Sequence, residues 1–204
     1  VPLSLLDRFK EKTTYVACPL RFHPVVQHLK TTSNLTILTA RIICSSFLPL
    51  WRKGRDYRNI YSARRNQGGG VALDLIHEID YALYLFGKPQ GNVSAFGKFS
   101  SLEIDSVDCA AYIFSYANRL VEIHLDYFGR KPKREIEVFC EEGTFLGNLL
   151  NNTFENLCTG EKTTFPNIKT DIYEKEMTYF LEKAASRERT FNDIFSALET
   201  LRIA

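Results

Sequence analysis

Several classes of protein are excluded by what this 204-residue sequence lacks. No apolar run approaches the roughly 18 residues that a membrane-crossing helix needs. Charge bias is almost absent: 26 Lys and Arg face 24 Asp and Glu, a net of +2, so no global field selects nucleic acid or an anionic surface. The cysteines number only five, at 18, 44, 109, 140 and 158, with no C-x-x-C. An odd, widely spaced set in apolar runs reads as reduced, buried thiols in a cytoplasmic protein and argues against zinc. Also missing is the G-x-G-x-x-G that opens a dinucleotide-binding βαβ unit. The chain opens on Val1-Pro2-Leu3-Ser4, without an initiator Met or a signal-peptide pattern, and reads as a cut or processed end.

What is present fits a globular chain of one domain, 45% hydrophobic and 25% charged. Residues 4–11 and 21–30 read as helices, with Pro24 in the first turn of the second. Thr14–Cys18 and Leu35–Cys44 read as strands, and 45–66 as irregular and basic. A helix spans 70–86 and stops at Gly87-Lys88-Pro89. Strand candidates follow at 92–99, 107–116, 120–127, 134–140, 144–149 and 153–158, several joined by short turns that favour antiparallel neighbours. Helical patterning returns at 171–186 and 191–203. This order predicts an α+β fold, an open and mostly antiparallel sheet with helices packed on one face.

The segment Gln67–Tyr81 carries the chemistry. Three glycines run into the helix and would leave its first N–H groups open to a ligand. Apolar positions 72, 75, 76, 79, 83 and 86 share one stripe, which places Asp74, His77 and Tyr81 on the opposite face. Asp74 and His77, three residues apart, could meet, and a carboxylate beside an imidazole suits a general base. The same pair could equally be solvated polar residues. A second candidate is the basic stretch 51–65, with Arg52, Lys53, Arg55, Arg58, Arg64 and Arg65 opposed only by Asp56. It could clamp the phosphate of a nucleotide sugar or, with Trp51, Tyr57 and Tyr61 as stacking platforms, bind nucleic acid; a solvated loop is the third reading. Lys131, Lys133 and Arg134 read as a charged turn, and His23, His28 and His124 as ordinary structural histidines.

An ordered set of motifs resembles a known family. Leu20-Arg21-Phe22-His23-Pro24, Trp51–Arg58, Gly68–Tyr81, His124-Leu125-Asp126-Tyr127, Glu141-Glu142-Gly143-Thr144 and Ala197–Ile203 together resemble the C-terminal domain of the Gfo/Idh/MocA oxidoreductases, relatives of glucose–fructose oxidoreductase and inositol dehydrogenase. The resemblance implies that residues 1–204 are a single substrate-side domain. It implies catalytic roles for Asp74 and His77, and substrate contacts at Arg21, Arg58 and Tyr81. A sugar or nucleotide-sugar substrate, NAD or NADP held by an N-terminal Rossmann domain absent from this sequence, and a homo-oligomer formed through the sheet face are implied as well. Val1 stands where the family carries a lysine, and Cys18-Pro19 where Tyr-Asn is common. On this reading the isolated chain binds no cofactor and is inactive. The alternative is a non-enzymatic dimerisation or sugar-binding module.

Overall fold

The computed structural model describes residues 6–32, 34–166 and 171–204. One eight-stranded sheet organises the molecule, in the order β2-β3-β4-β1-β5-β6-β7-β8. The strands are β1 (Ile37–Ser45), β2 (Gly91–Gly97), β3 (Cys109–Ser115), β4 (Leu120–Asp126), β5 (Lys133–Cys140), β6 (Gly143–Asn148), β7 (Thr153–Asn156) and β8 (Lys162–Thr164). Every pairing is antiparallel except β1 with β4. The α+β architecture is therefore as the element order predicted. The central place of β1 is not something local turns could reveal: it inserts between β4 and β5, far from it in sequence.

Alternation sets the two faces. Ala40, Ile42 and Cys44 of β1, Ala110, Tyr112 and Phe114 of β3, Val121, Ile123 and Leu125 of β4, and Ile136 and Val138 of β5 are buried. In this register they share one side, which the helices cover. Each large apolar side chain buried there contributes roughly 1.5–3 kcal/mol before chain entropy is counted. The covering helices are α1 (Pro24–Thr31), α2 (Val71–Asp74), α3 (Ile76–Phe86), α4 (Asp171–Ser186) and α5 (Ile194–Ile203). α1 lies so close to β6 that a Cβ on Gly147 would come within 2.6 Å of Val25 Cγ1.

Local chemistry explains the helix starts. Expected Arg21–Lys30 divides into a 3₁₀ turn at Pro19–Phe22 and α1, because His23 turns extended and caps α1, its Nδ1 accepting from Val25 N at 3.3 Å. His23 Nε2 lies 3.1 Å from the Leu149 carbonyl, tying the cap to the β6–β7 connection. Burial holds its pKa down at about 4. The expected strand at 14–18 joins no ladder. Val16 N donates to Asn192 O at 2.9 Å, and the Cys18 N–H and Tyr15 hydroxyl both donate to the buried Glu176 of α4. Of the expected helix over 4–11, residues 4 and 5 fall outside the described part, Leu6 is helical and a 3₁₀ turn follows at Asp7–Phe9. The 45–66 stretch winds through short 3₁₀ turns at 48–50, 57–59, 61–63 and 65–67. All five cysteines are unpaired, Cys18 and Cys44 being buried. Among the described residues no helix is long and apolar enough to cross a membrane.

Candidate functional site

The glycine triplet turns two of its three N–H groups inward, to its own chain. Gly68 N and Gly69 N donate back to Arg65 O and Arg64 O, and Val71 N donates to Val107 O at 2.9 Å. The triplet is a tight reversal. Gly68 and Gly70 hold positive φ, at 78° and 127°. A Cβ on Gly69 would lie 2.7 Å and 2.8 Å from the carbonyl oxygens of Ser62 and Arg64, and closer still to that of Tyr61. The reversal sets the start of α2, which runs for one turn.

Nor is 70–86 one helix. Leu75 leaves helical geometry, at φ −105° and ψ 28°, and separates α2 from α3. Asp74 therefore closes one helix while His77 sits in the first turn of the next, and the angular argument that paired them does not hold across the break. Among the described residues no hydrogen bond joins the two. Asp74 takes its partner from the sheet: the Tyr127 hydroxyl donates to Oδ2 at 2.6 Å. Tyr127 is fully buried, and its ring stands edge-on to Trp51 at 5.2 Å. Burial, then the bonded Asp74 carboxylate, lifts the Tyr127 pKa far above its ordinary value, so it remains a donor at any physiological pH. Tyr61, about half exposed, adjoins Asp74 too, and its pKa is raised first by burial and then by that carboxylate. His77 is half-buried and has no side-chain hydrogen bond among the described residues. The arrangement is a carboxylate bonded by a buried tyrosine, with an uncommitted imidazole on the helix that follows the break.

Of the remaining expected contacts, Tyr81 is buried and Arg21 and Arg58 are held in ion pairs. Tyr81, read as polar-face, is fully buried, and its hydroxyl has no partner among the described residues. The periodicity misplaced it because α3 has no free face: residues 78–82 are all buried between β1 and β4 on one side and α1, α5 and the 3₁₀ turn 19–22 on the other. Arg21 is buried and gives a two-pronged ion pair to Asp80, Nε–Oδ2 2.9 Å and Nη2–Oδ1 2.8 Å, plus a bond to Phe191 O. Arg58 is exposed but held by Asp56 and Glu103, at 2.8 and 3.0 Å. Arg134 lies in β5 rather than in a turn, and its guanidinium pairs with the fully buried Glu78, Nε–Oε1 2.6 Å and Nη2–Oε2 3.1 Å. In the segment His77-Glu78-Ile79-Asp80 both acids thus fix α3 to the sheet and to the N-terminal turn. His124 Nε2 meets Asp126 at 3.1 Å. Burial raises the Asp126 carboxyl, but that bond and those from Phe128 N and Gly129 N outweigh it and leave the pKa below the usual value.

The sequence also missed Tyr127 and Tyr61 as the neighbours of Asp74. Tyr127 is the residue just beyond β4, and β4 pairs with β1 only in the folded sheet. Among the described residues no group of three or more His, Cys, Asp or Glu could hold a metal ion.

Comparison with known proteins decides the family. The model for the GFO/IDH/MocA C-terminal domain matches residues 37–146, more than half of the chain. The chain belongs to the GFO/IDH/MocA family. No curated protein matches the sequence. Among solved structures, this GFO/IDH/MocA domain is similar to levoglucosan dehydrogenase in complex with NADH, at TM-score 0.79 and 14% identity, covering 97% of this chain and 64% of that one. It is also similar to UDP-N-acetylglucosamine 3-dehydrogenase from Acidithiobacillus ferrooxidans, at 0.73 and 17%, covering 98% and 61%. A third is D-galactose-1-dehydrogenase from Rhizobium etli, at 0.71 and 17%, covering 99% and 62%. At such identities the likeness is one of fold. The chain spans about six-tenths of the length of these structures.

The sheet has a single parallel pair, the chain has no G-x-G-x-x-G, and the N–H groups of Gly68, Gly69 and Val71 are already bonded.

Proposed function

We propose that residues 1–204 are the substrate-side domain of an NAD(P)-dependent oxidoreductase acting on a sugar or a sugar-derived alcohol or ketone. What supports this reading is the Asp74–Tyr127 bond, with an uncommitted His77 in the first turn of the next helix, in a chain of this family. His77 exchanges the hydroxyl proton of the substrate as general acid and base. Asp74, its charge fixed by Tyr127, orients the substrate hydroxyl. NAD or NADP is held by a part of the enzyme outside these residues, so the 204-residue chain alone neither binds the cofactor nor turns over. The structural relatives named for sugar substrates support the substrate class.

Copies of the chain associate through the sheet face opposite the helices. Val93 and Ile113 are exposed there on adjacent strands, at 70% and 45%, with Leu120 beside them. The protein is cytoplasmic, consistent with its unpaired cysteines.

The direct test is a cofactor titration followed by a substrate panel. The purified chain should show no binding of NADH or NADPH at micromolar concentration. The complete enzyme carrying this domain should reduce NAD or NADP with one class of pyranose or polyol. Micromolar binding by the chain, or no turnover of any sugar by the complete enzyme, would refute the proposal.

A further inference from the structure

Beside the Asp74 site lies a cavity of about 390 Å³, lined by Arg52, Arg55, Asp56, Asn59, Ile60 and Tyr61. Its charge is unbalanced. Its one carboxylate, Asp56, is bound by Arg58 through Nε, through Nη2 and through its own backbone N–H, and the same guanidinium also pairs with Glu103. Arg52 and Arg55 make no ion pair with any described residue, and the three guanidinium groups of Arg52, Arg55 and Arg58 face only the two carboxylates that share Arg58, which leaves an excess of positive charge. Arg52 is also oriented: its guanidinium lies over the Tyr61 ring, 5.6 Å from the centroid. Tyr61 joins the two regions, because it forms one wall of the cavity and adjoins Asp74.

We propose that this cavity is an anion pocket that holds a phosphoryl or diphosphate group of the sugar substrate while its reacting carbon sits at Asp74 and His77; this rests on the reading of that pair given above. Two forked guanidinium groups match phosphate oxygens in a way a lysine pair would not. The cavity volume is within the range of small-ligand sites. The substrate class is then a phosphorylated sugar rather than a free one, and the part of the basic stretch that the catalytic reading leaves unused gains a role.

Titration calorimetry of the 204-residue chain tests it, using pyrophosphate, glucose 1-phosphate, UDP-glucose and glucose as probes. The paired variants are R52Q/R55Q and, as a charge-matched control, R64Q/R65Q, all on exposed side chains. The expected result is binding of the phosphate-bearing probes, weakened at least tenfold in R52Q/R55Q and less than twofold in R64Q/R65Q. UDP-glucose binding more tightly than glucose 1-phosphate assigns a nucleoside diphosphate sugar; the reverse order assigns a sugar monophosphate, and either supports the pocket. Equal loss in both paired variants, or tighter binding of a single-stranded oligonucleotide, overturns it. So does the absence of phosphate binding at millimolar concentration. If glucose then still binds, and loses binding in D74N, the anion pocket fails while the Asp74 reading stands.

Discussion

His23 should make this fold weaken on mild acidification, in a window where few carboxylates titrate. Its ring is 5% exposed, caps α1 through Nδ1 and bonds the Leu149 carbonyl through Nε2. Those contacts need a neutral ring, protonated on Nε2 and bare on Nδ1. Burial first, and to a lesser degree the Arg134 charge, lowers its pKa from 6.5 to about 4, against opposing bonds to Leu149 and Asn152. In the unfolded chain the ring takes a proton near pH 6.5, whereas in the fold it resists until about pH 4. The folded pKa is the lower one, so the stabilisation is fully present above pH 6.5 and is lost as pH falls toward 4. The gap of about 2.5 pH units corresponds to about 3 kcal/mol, of which about 2 kcal/mol is gone by pH 5. Urea unfolding followed by the single Trp51, at pH 7.5, 6, 5 and 4.5, measures it. His23→Asn keeps a side-chain cap but cannot titrate, so its stability should differ from wild type by a term that shrinks as pH falls. A wild-type minus variant difference that stays constant from pH 7.5 to 5 would refute the assignment.

Three further outcomes follow from the same geometry. Glu78→Gln strands the Arg134 guanidinium against a buried partner and should cost about 3–5 kcal/mol in the same unfolding assay, whereas E78L/R134M, which removes both charges, should cost much less. Gly69→Ala should destabilise by roughly 3 kcal/mol or more, because its methyl group meets three backbone carbonyls; a Tm within two degrees of wild type would contradict the packing at that reversal. Tyr127→Phe should leave the fold intact by circular dichroism and lower kcat of the complete enzyme about tenfold by releasing Asp74. An unchanged kcat would show that Asp74 needs no anchor.

The central strands were readable because they alternate cleanly, whereas the short, exposed β8 carries no such pattern and was not expected. Val121, Ile123 and Leu125 point one way while Glu122 and His124 point the other, and the strand limits moved by only a residue or two. The helix at 70–86 was readable in position but not in its break. Leu75 carries no Gly or Pro signal, and its departure from helical geometry arises where α2, pinned by Val71 to Val107, meets the sheet. Asp74 and His77 were visible as residue types, but their relation was not, since the hydrogen-bond partner of Asp74 is the residue just after β4, 53 positions away. Tyr81 shows the opposite error. Amphipathic reasoning assigns polar and aromatic groups outside the apolar stripe to solvent, and a helix covered on both sides buries them. What could have signalled this is the doubled acid of His77-Glu78-Ile79-Asp80, which needs two basic partners if the helix is enclosed, and Arg134 and Arg21 supply them.

The most direct test of the central claim is a pair of substitutions in the complete enzyme, His77→Asn and Asp74→Asn, with kcat for sugar oxidation and Kd for NADH measured side by side. The account predicts that kcat falls by about 10²–10⁴ in His77→Asn and substantially in Asp74→Asn, with cofactor Kd unchanged in both. Turnover within threefold of wild type in either variant would contradict it.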